Sequence, residues 1–377
     1  MKKLMLVSML LAIVAFGAFA AGSQEAAPAA APVEKVLTQE ELIAAAKAEG
    51  KVVVYSITSR ISGAAAEFEK KYGIKVEASN LKDGELIEKV TREVGGNIQG
   101  ADFVICQDSG RVYGQLIAPG YLVNYVPPSM ASVIPPEYQN PLNFQLINKV
   151  FIFNSEKTQQ PVIQNVWEAT EPQWKGLIQF KDPKSEGVNA NFLTMITSPE
   201  WAARLEKAYE QRYNKKLVLT TKNAGYEWIK MFFQNGLVLG NSDTNISENI
   251  GIKGQPKTTF GLFVYSKTRY DATKNLALLP MTEVVPFSGF IYPAFVMMTK
   301  NAKNTAAAKL FIEYLLTAEG FKPWSKDVGS YSSNPNIPIN DGDHPVSFWA
   351  SRLVPEDPQF LFENRAAVEE FVNNITF

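Results

Sequence analysis

The stretch Val52–Ser62, VVVYSITSRIS, restricts the possible folds more than any other. Val52, Val53, Val54 and Tyr55 form an apolar, β-branched run suited to a buried strand. The run stops at a turn containing Ser56, Thr58, Ser59, Arg60 and Ser62. Ala64, Ala65, Phe68 and Tyr72 then recur at helical spacing. The pattern repeats. Ile74, Val76 and Ala78 alternate as a second strand, Leu86, Ile87, Val90 and Val94 stripe a second helix, and Phe103–Cys106 reads as a third strand. A β-α-β-α-β order implies a parallel sheet with right-handed crossovers. Ligands of such sheets sit beyond the carboxyl ends of the strands. Two polar turns fall there: Ser56–Arg60, and Gln107-Asp108-Ser109-Gly110. A helix start offers unpaired N–H groups and the positive end of its dipole to an anion. The competing readings are that Ser59 or Ser62 only caps the helix and that Asp108 is an ordinary turn residue.

A chain of 377 residues normally divides into two domains. Five prolines between Pro127 and Pro141 interrupt regular structure, and Lys149–Asn154 reads as an apolar strand making a first crossing between lobes. Leu177–Phe180 is a strand, followed by the loop Asp182–Gly187 and an apolar helix preceded by Asn189 and Asn191. This repeats the opening unit and offers a second ligand wall, with Ser185 and Asn189, joined by Tyr265 at the end of the strand over residues 258–265. Val284–Met298, broken by Pro286, Gly289 and Pro293, brings the chain back and carries Tyr292. Asn304-Thr305 reads as the cap of a helix with Ala308, Phe311 and Leu315. The stretch from Trp324 through Tyr331 to Pro345 reads as loop, and Ala367–Ile375 as a terminal helix. The expected lobes are residues 37–148 with 285–377, and residues 149–284. The fold class is α/β, and the expected ligand set is Ser56, Thr58, Ser59, Arg60, Asp108, Ser109, Ser185, Asn189, Tyr265 and Tyr292.

Lys2 and Lys3, a short apolar run and Ala18-Phe19-Ala20 have the layout of a secretory signal peptide over residues 1–20. A membrane anchor is the competing reading, but a span needs about 20 apolar residues. No cysteine stands near the expected cut for a lipid. Residues 21–36 are rich in Ala and Pro and read as a flexible linker. The 37 basic and 38 acidic residues nearly balance, which argues against nucleic acid and strongly anionic membranes as partners. Cys106 is the only cysteine, so no intrachain disulfide forms, and its apolar setting suits a buried structural thiol. His344 is the only histidine, which largely excludes multi-His metal sites and Ser/His or Cys/His catalytic pairs.

The segments VVVYSITS, GADFVICQDSG with GYLVNY, FIFNSEK, WKGLIQFKDPKS and FSGFIYPAFVMMTKNAKNTAAAKLFIEYLLTAEGF, in that order, resemble the periplasmic solute-binding proteins of ATP-driven importers. The chain is most similar to the cluster that binds ferric iron, sugar phosphates, phosphonates, thiamine or polyamines. The resemblance implies a type II fold: two α/β lobes, joined by two crossing strands, that close over a solute in a central cleft and present it to a membrane permease. It also implies a monomer in the periplasm without a cofactor. Iron-binding members use two adjacent tyrosines in the second lobe, whereas the comparable GLFVYSKT has Tyr265 followed by Ser266. No metal is therefore expected, and the hydroxyl and amide turns suit an anionic or polyhydroxy solute. Two other functions compete. An exported hydrolase or transferase could draw an acid/base pair from Asp108, Glu186, Asp243 and Glu283, although no G-x-S-x-G motif occurs. A sensory binding protein would dock on a receptor in place of a permease.

Overall fold

The apolar runs become strands of one mixed sheet. The computed structural model describes residues 37–375, so the expected signal peptide and linker lie outside the described residues. The opening alternates α1 (Gln39–Glu49), β1 (Lys51–Ser56), α2 (Ile61–Tyr72), β2 (Lys75–Asn80), α3 (Asp83–Gly95), β3 (Phe103–Cys106) and α4 (Ser109–Val112). A π-helical turn at Tyr113–Ile117 and β4 (Leu122–Val123) lead to β5 (Asn143–Asn154). The middle of the chain holds β6 (Ile178–Lys181), α5 (Gly187–Met195), α6 (Pro199–Tyr213), α7 (Ala224–Gln234), β7 (Val238–Gly240), α8 (Asp243–Gly251), β8 (Phe260–Val264), α9 (Tyr270–Lys274) and β9 (Leu278–Pro280). β10 (Gly289–Thr299), α10 (Thr305–Leu315), α11 (Ala318–Ser325), β11 (Ser330–Ser332), α12 (Val346–Trp349), β12 (Leu353–Val354) and α13 (Pro358–Asn373) complete it.

Among the described residues the sheet runs β2-β1-β3-β10-β5-β8-β6-β7. β1 pairs β2 and β3 in parallel, and β6 pairs β7 and β8 in parallel. Two long antiparallel strands, β5 and β10, lie between these parallel halves and pair from Gly289 opposite Val150 to Phe295 opposite Asn143. β10 joins one half by pairing Phe295–Met298 with β3, and β5 joins the other by pairing Lys149–Phe153 with β8.

β5 begins at Asn143, six residues before the apolar run begins. Its first half alternates polar with apolar residues and is still buried, because the polar side chains find partners. The Gln145 amide donates to Ser330 Oγ at 2.8 Å, and the Asn148 amide to the Tyr331 hydroxyl at 3.4 Å. The stretch expected as loop holds α11, with buried Trp324 packed edge-on to Phe144, and β11, where Tyr331 pairs with Leu146 of β5. α13 starts at Pro358, well before Ala367. Asp357 accepts the amides of Gln359 and Phe360, and proline occupies the first helical position. Asn304 does not cap α10 through its side chain, which donates to Asp102 instead; Glu49 accepts the amides of Ala306 and Ala307.

Aromatic residues make much of the core. One cluster gathers Phe68, Phe103, Phe311 and Trp324 on the β1–β3 half. Another gathers Trp167, Phe192, Trp228 and Phe287 on the β6–β8 half, and also takes in Leu361 and Val368 of α13. α13 lies against α5 on one side and α4 on the other. Among the described residues no helix is long and apolar enough to cross a membrane.

Candidate functional site

The strand ends of both halves converge, and each of four delivers an acidic residue to a helix start. β2 leads to Asp83 and β3 to Asp108; β6 leads to Glu186 and β7 to Asp243. The positive end of a helix favours a carboxylate there. Lys149, fully buried on β5, bonds Glu186, donates to Asn189 Oδ1 at 2.8 Å and lies 3.3 Å from Asp243. Lys181 lies 2.7 Å from Glu186 and 3.2 Å from Asp243. Two ammoniums and two carboxylates thus form a neutral quartet, as burial requires. Burial alone would raise the Asp243 carboxyl, but Lys149, Lys181 and the Val264 N–H outweigh it and hold it well below the usual range. Tyr292, on the adjoining strand β10, is buried, and burial together with Glu186 and Asp243 pushes its phenol well above the ordinary value. It remains a neutral hydroxyl.

The opposing turn is built around Asp108, 1% exposed and in the left-handed region at φ 65. Arg365 of α13 pairs with Asp108 and donates to Asn191 Oδ1 of α5 at 3.1 Å. Ser109 Oγ donates to Glu356 at 2.6 Å, and the Asn191 amide donates to the other Glu356 oxygen at 2.9 Å. Segments from both halves of the sheet and from the C-terminal region thus share one hydrogen-bonded cluster. Only glycine fits at position 187, since a Cβ there would lie 1.8 Å from Asp108 Oδ2.

Two carboxyls in this cluster titrate near neutrality. Burial, with Glu186 and Asp108 nearby, pushes Asp83 up to about 7, although Gln107 donates to it at 2.9 Å. Burial likewise pushes Glu356 up to about 7 against the donors Ser109 and Asn191. A raised folded pKa means the native state holds protons that the unfolded chain releases. Stability should therefore be fullest below about pH 4 for these groups and should fall as pH rises towards about 7. The melting temperature is expected to fall between about pH 5 and pH 8, and Asp83→Asn with Glu356→Gln should flatten the decline. Calorimetry across that range tests this, and a melting temperature that rises with pH would contradict it.

The ten expected residues divide into groups. Asp108, Ser109, Asn189 and Tyr292 meet in or beside this cluster. Ser185 is exposed, donates to the Asp182 carbonyl at 2.8 Å, and sits across an opening from α3. The Ser56–Arg60 turn is largely satisfied internally. Ser56 Oγ accepts the Thr58 amide and donates to the Thr58 carbonyl, and Thr58 Oγ1 accepts the Arg60 amide at 3.3 Å. Neither Ser59 nor Ser62 caps α2, whose N-cap is Arg60 without a side-chain cap bond. The Arg60 guanidinium pairs with Asp327, which also lies 3.3 Å from Arg269 in the segment after β8. Ser59 is exposed. Tyr265 packs edge-on to Trp349 beneath Gly329, within the cluster that includes Leu146 and Val150. Sequence reasoning missed Lys149, Lys181, Asn191, Glu356 and Arg365 as cluster members. A lone lysine in the apolar run KVFIF was the one signal available. Nothing in the tail sequence marks Glu356 or Arg365.

The carboxylates considered for catalysis are engaged elsewhere. Glu186 and Asp243 are held between lysines, Asp108 pairs with Arg365, and Glu283 is a surface residue paired with Arg352 at 3.0 Å. Among the described residues no group of three or more His, Cys, Asp or Glu stands close enough to hold a metal ion.

The family model of the bacterial extracellular solute-binding proteins matches residues 63–346, more than half of the chain. The chain belongs to that family. This extracellular solute-binding protein matches no curated protein. Its fold is shared with solved structures of low sequence identity. Iron-bound HitA from Pseudomonas aeruginosa is 15% identical, with a TM-score of 0.67 over 87% of this chain and 99% of HitA. AfuA from Actinobacillus pleuropneumoniae, with fructose-6-phosphate bound, is 21% identical, with a TM-score of 0.63 over 86% of this chain and 97% of AfuA. IdiA (FutA) from Trichodesmium, in complex with iron and citrate, is 20% identical, with a TM-score of 0.60 over 86% of this chain and 99% of that one. The solute-binding protein therefore has the type II periplasmic binding fold, as the resemblance implied. The matched segment ends before β12 and α13.

Proposed function

We propose that this solute-binding protein captures one small solute between the two halves of its sheet and delivers it to the permease of an ATP-driven importer. The observation that carries the reading is the convergence of polar strand ends. Asp108 and Ser109 from one half meet Gly187, Asn189 and Asn191 from the other, with Lys149 and Tyr292 on the strands between. The proposed lobes are residues 37–148 with 285–377, and residues 149–284, with α13 lying on both. The solute is anionic or polyhydroxy. Its site draws on Asp108, Ser109, Asn189, Tyr292 and Ser185, with the Ser56, Thr58, Ser59 and Arg60 turn on the same strand-end edge and Tyr265 beyond. The protein acts as a periplasmic monomer with its leader removed near Ala20, and it catalyses no reaction, a reading supported by the engagement of Glu186 and Asp243 with lysine and of Asp108 with arginine.

Native mass spectrometry of freshly purified protein should show a single retained small molecule, lost on unfolding and refolding. Adding that molecule back should shrink the radius of gyration in X-ray scattering, because closure buries it. A retained molecule that binds with no change in radius would overturn capture by closure.

A further inference from the structure

The cluster at the junction satisfies its own charges. Lys149 and Lys181 neutralise Glu186 and Asp243, and Ser109, Asn191 and Arg365 occupy Glu356 and Asp108. Unmatched positive charge lies beside it. A cavity of about 340 Å³ opens between α4, the loop before α5, and α13. That volume falls in the usual range for small-ligand sites, roughly 300–1,000 Å³. Its charged lining is Arg111 from α4, Lys184 from the loop, and Arg365 and Glu369 from α13. Lys184 is exposed and meets no carboxylate among the described residues. The Arg111 guanidinium donates only to the neutral Gln115 amide oxygen, at 3.4 Å. Arg365 is shared between Asp108 behind it and Glu369, whose Oε1 accepts from Nε at 2.7 Å. Three cations therefore face two carboxylates: Arg365 pairs with both, Asp108 also feels the Arg111 charge, and Lys184 has no carboxylate partner among the described residues. The rest of the lining is mostly apolar, including Leu193, Val368 and Val372, with Asn373 as its polar member. Arg111 and Lys184 come from opposite halves of the sheet, so an anion held by both would fasten the halves together.

We propose that this cavity receives the charged end of the solute, and that the solute is a small organic anion, a carboxylate or a phosphate monoester, with an apolar body lying against α5 and α13. The proposal rests on the reading that the protein captures a solute between its halves. An anion gives Lys184 a counter-charge and gives the Arg111 guanidinium a charged acceptor in place of the Gln115 amide, through charge-assisted hydrogen bonds. The apolar wall is a poor match for a bare inorganic ion.

Calorimetric titration of the full chain tests this. Hexanoate and hexyl phosphate serve as probes, hexylammonium as the opposite-charge control, and inorganic phosphate as the control without an apolar body. At least one hexyl anion should bind, and whether it is the carboxylate or the phosphate identifies the head group. Hexylammonium and inorganic phosphate should each bind at least about tenfold more weakly. Arg111→Ala with Lys184→Ala should weaken anion binding at least about tenfold at an unchanged melting temperature. Equal binding of hexylammonium, no binding of either hexyl anion, or full affinity in the double variant would overturn the proposal. A solute retained through purification that the double variant binds unchanged, with the same compaction, overturns this assignment and leaves capture between the halves standing.

Discussion

Lys149→Met should lower the stability of this protein by about 3–5 kcal/mol, the usual cost of removing one partner from a buried ion pair. Lys149 is fully buried on β5, and methionine matches its length without its charge. The variant would leave Glu186 and Asp243 with a single shared cation, Lys181, and Asn189 Oδ1 without its donor. The carboxylates are each about 10% exposed, so some relief by water places the expected loss near the lower end of that range. Urea unfolding at neutral pH measures it. Adding Glu186→Gln to the variant should restore part of the loss, because the surviving charges then balance. A loss below about 1 kcal/mol in the single variant would show that the quartet is not a buried, coupled unit.

Gly187→Ala should hold the two halves of the sheet apart. The added Cβ would meet Asp108 Oδ2 at 1.8 Å, and Asp108 cannot swing away freely, because it is buried and paired with Arg365. Either α5 or the turn after β3 must move. Overpacking of this kind costs about 1–3 kcal/mol. The more telling readout is the radius of gyration, expected to exceed that of the parent, with Asp108→Gly in the same chain returning it, since the Asp108 Cβ would itself lie 2.9 Å from the added one. A parent-like radius in Gly187→Ala would mean that the Asp108 turn yields locally and does not set the distance between the halves.

Much of the fold could be read from periodicity, because the governing interactions are local. β1 to β3 and their helices follow from apolar runs and helical stripes, and β5 and β10 follow from the apolar runs beside the proline-broken segments. The errors share one physical cause. Where polar residues are buried in partnership with distant residues, local pattern misleads. Gln145 and Asn148 lie on a central strand because Ser330 and Tyr331 complete them from far along the chain. The candidate site is the extreme case. Asp108, Ser109 and Asn189 could be picked out because strand ends before helix starts are visible in sequence, and Tyr292 because it lies on the strand that brings the chain back. Arg365 and Glu356 could not, since a tail helix shows nothing locally of the turn it meets more than two hundred residues earlier. The start of α13 was nevertheless visible as Asp357-Pro358.

The position of β10 also governs when the molecule can form. It fills the gap between β3 and β5 near the middle of the sheet, yet the chain reaches it only after residue 288. Until then β3 has no partner on one side, β5 lacks the strand it pairs with along most of its length, and α10 and α13 have no completed surface to cover. Contacts of such long sequence separation form slowly. During synthesis the chain therefore stays open until its last quarter exists. The same delay carries a hazard: any fragment ending before residue 289 would expose the unpaired edges of β3 and β5, and such edges invite pairing between chains.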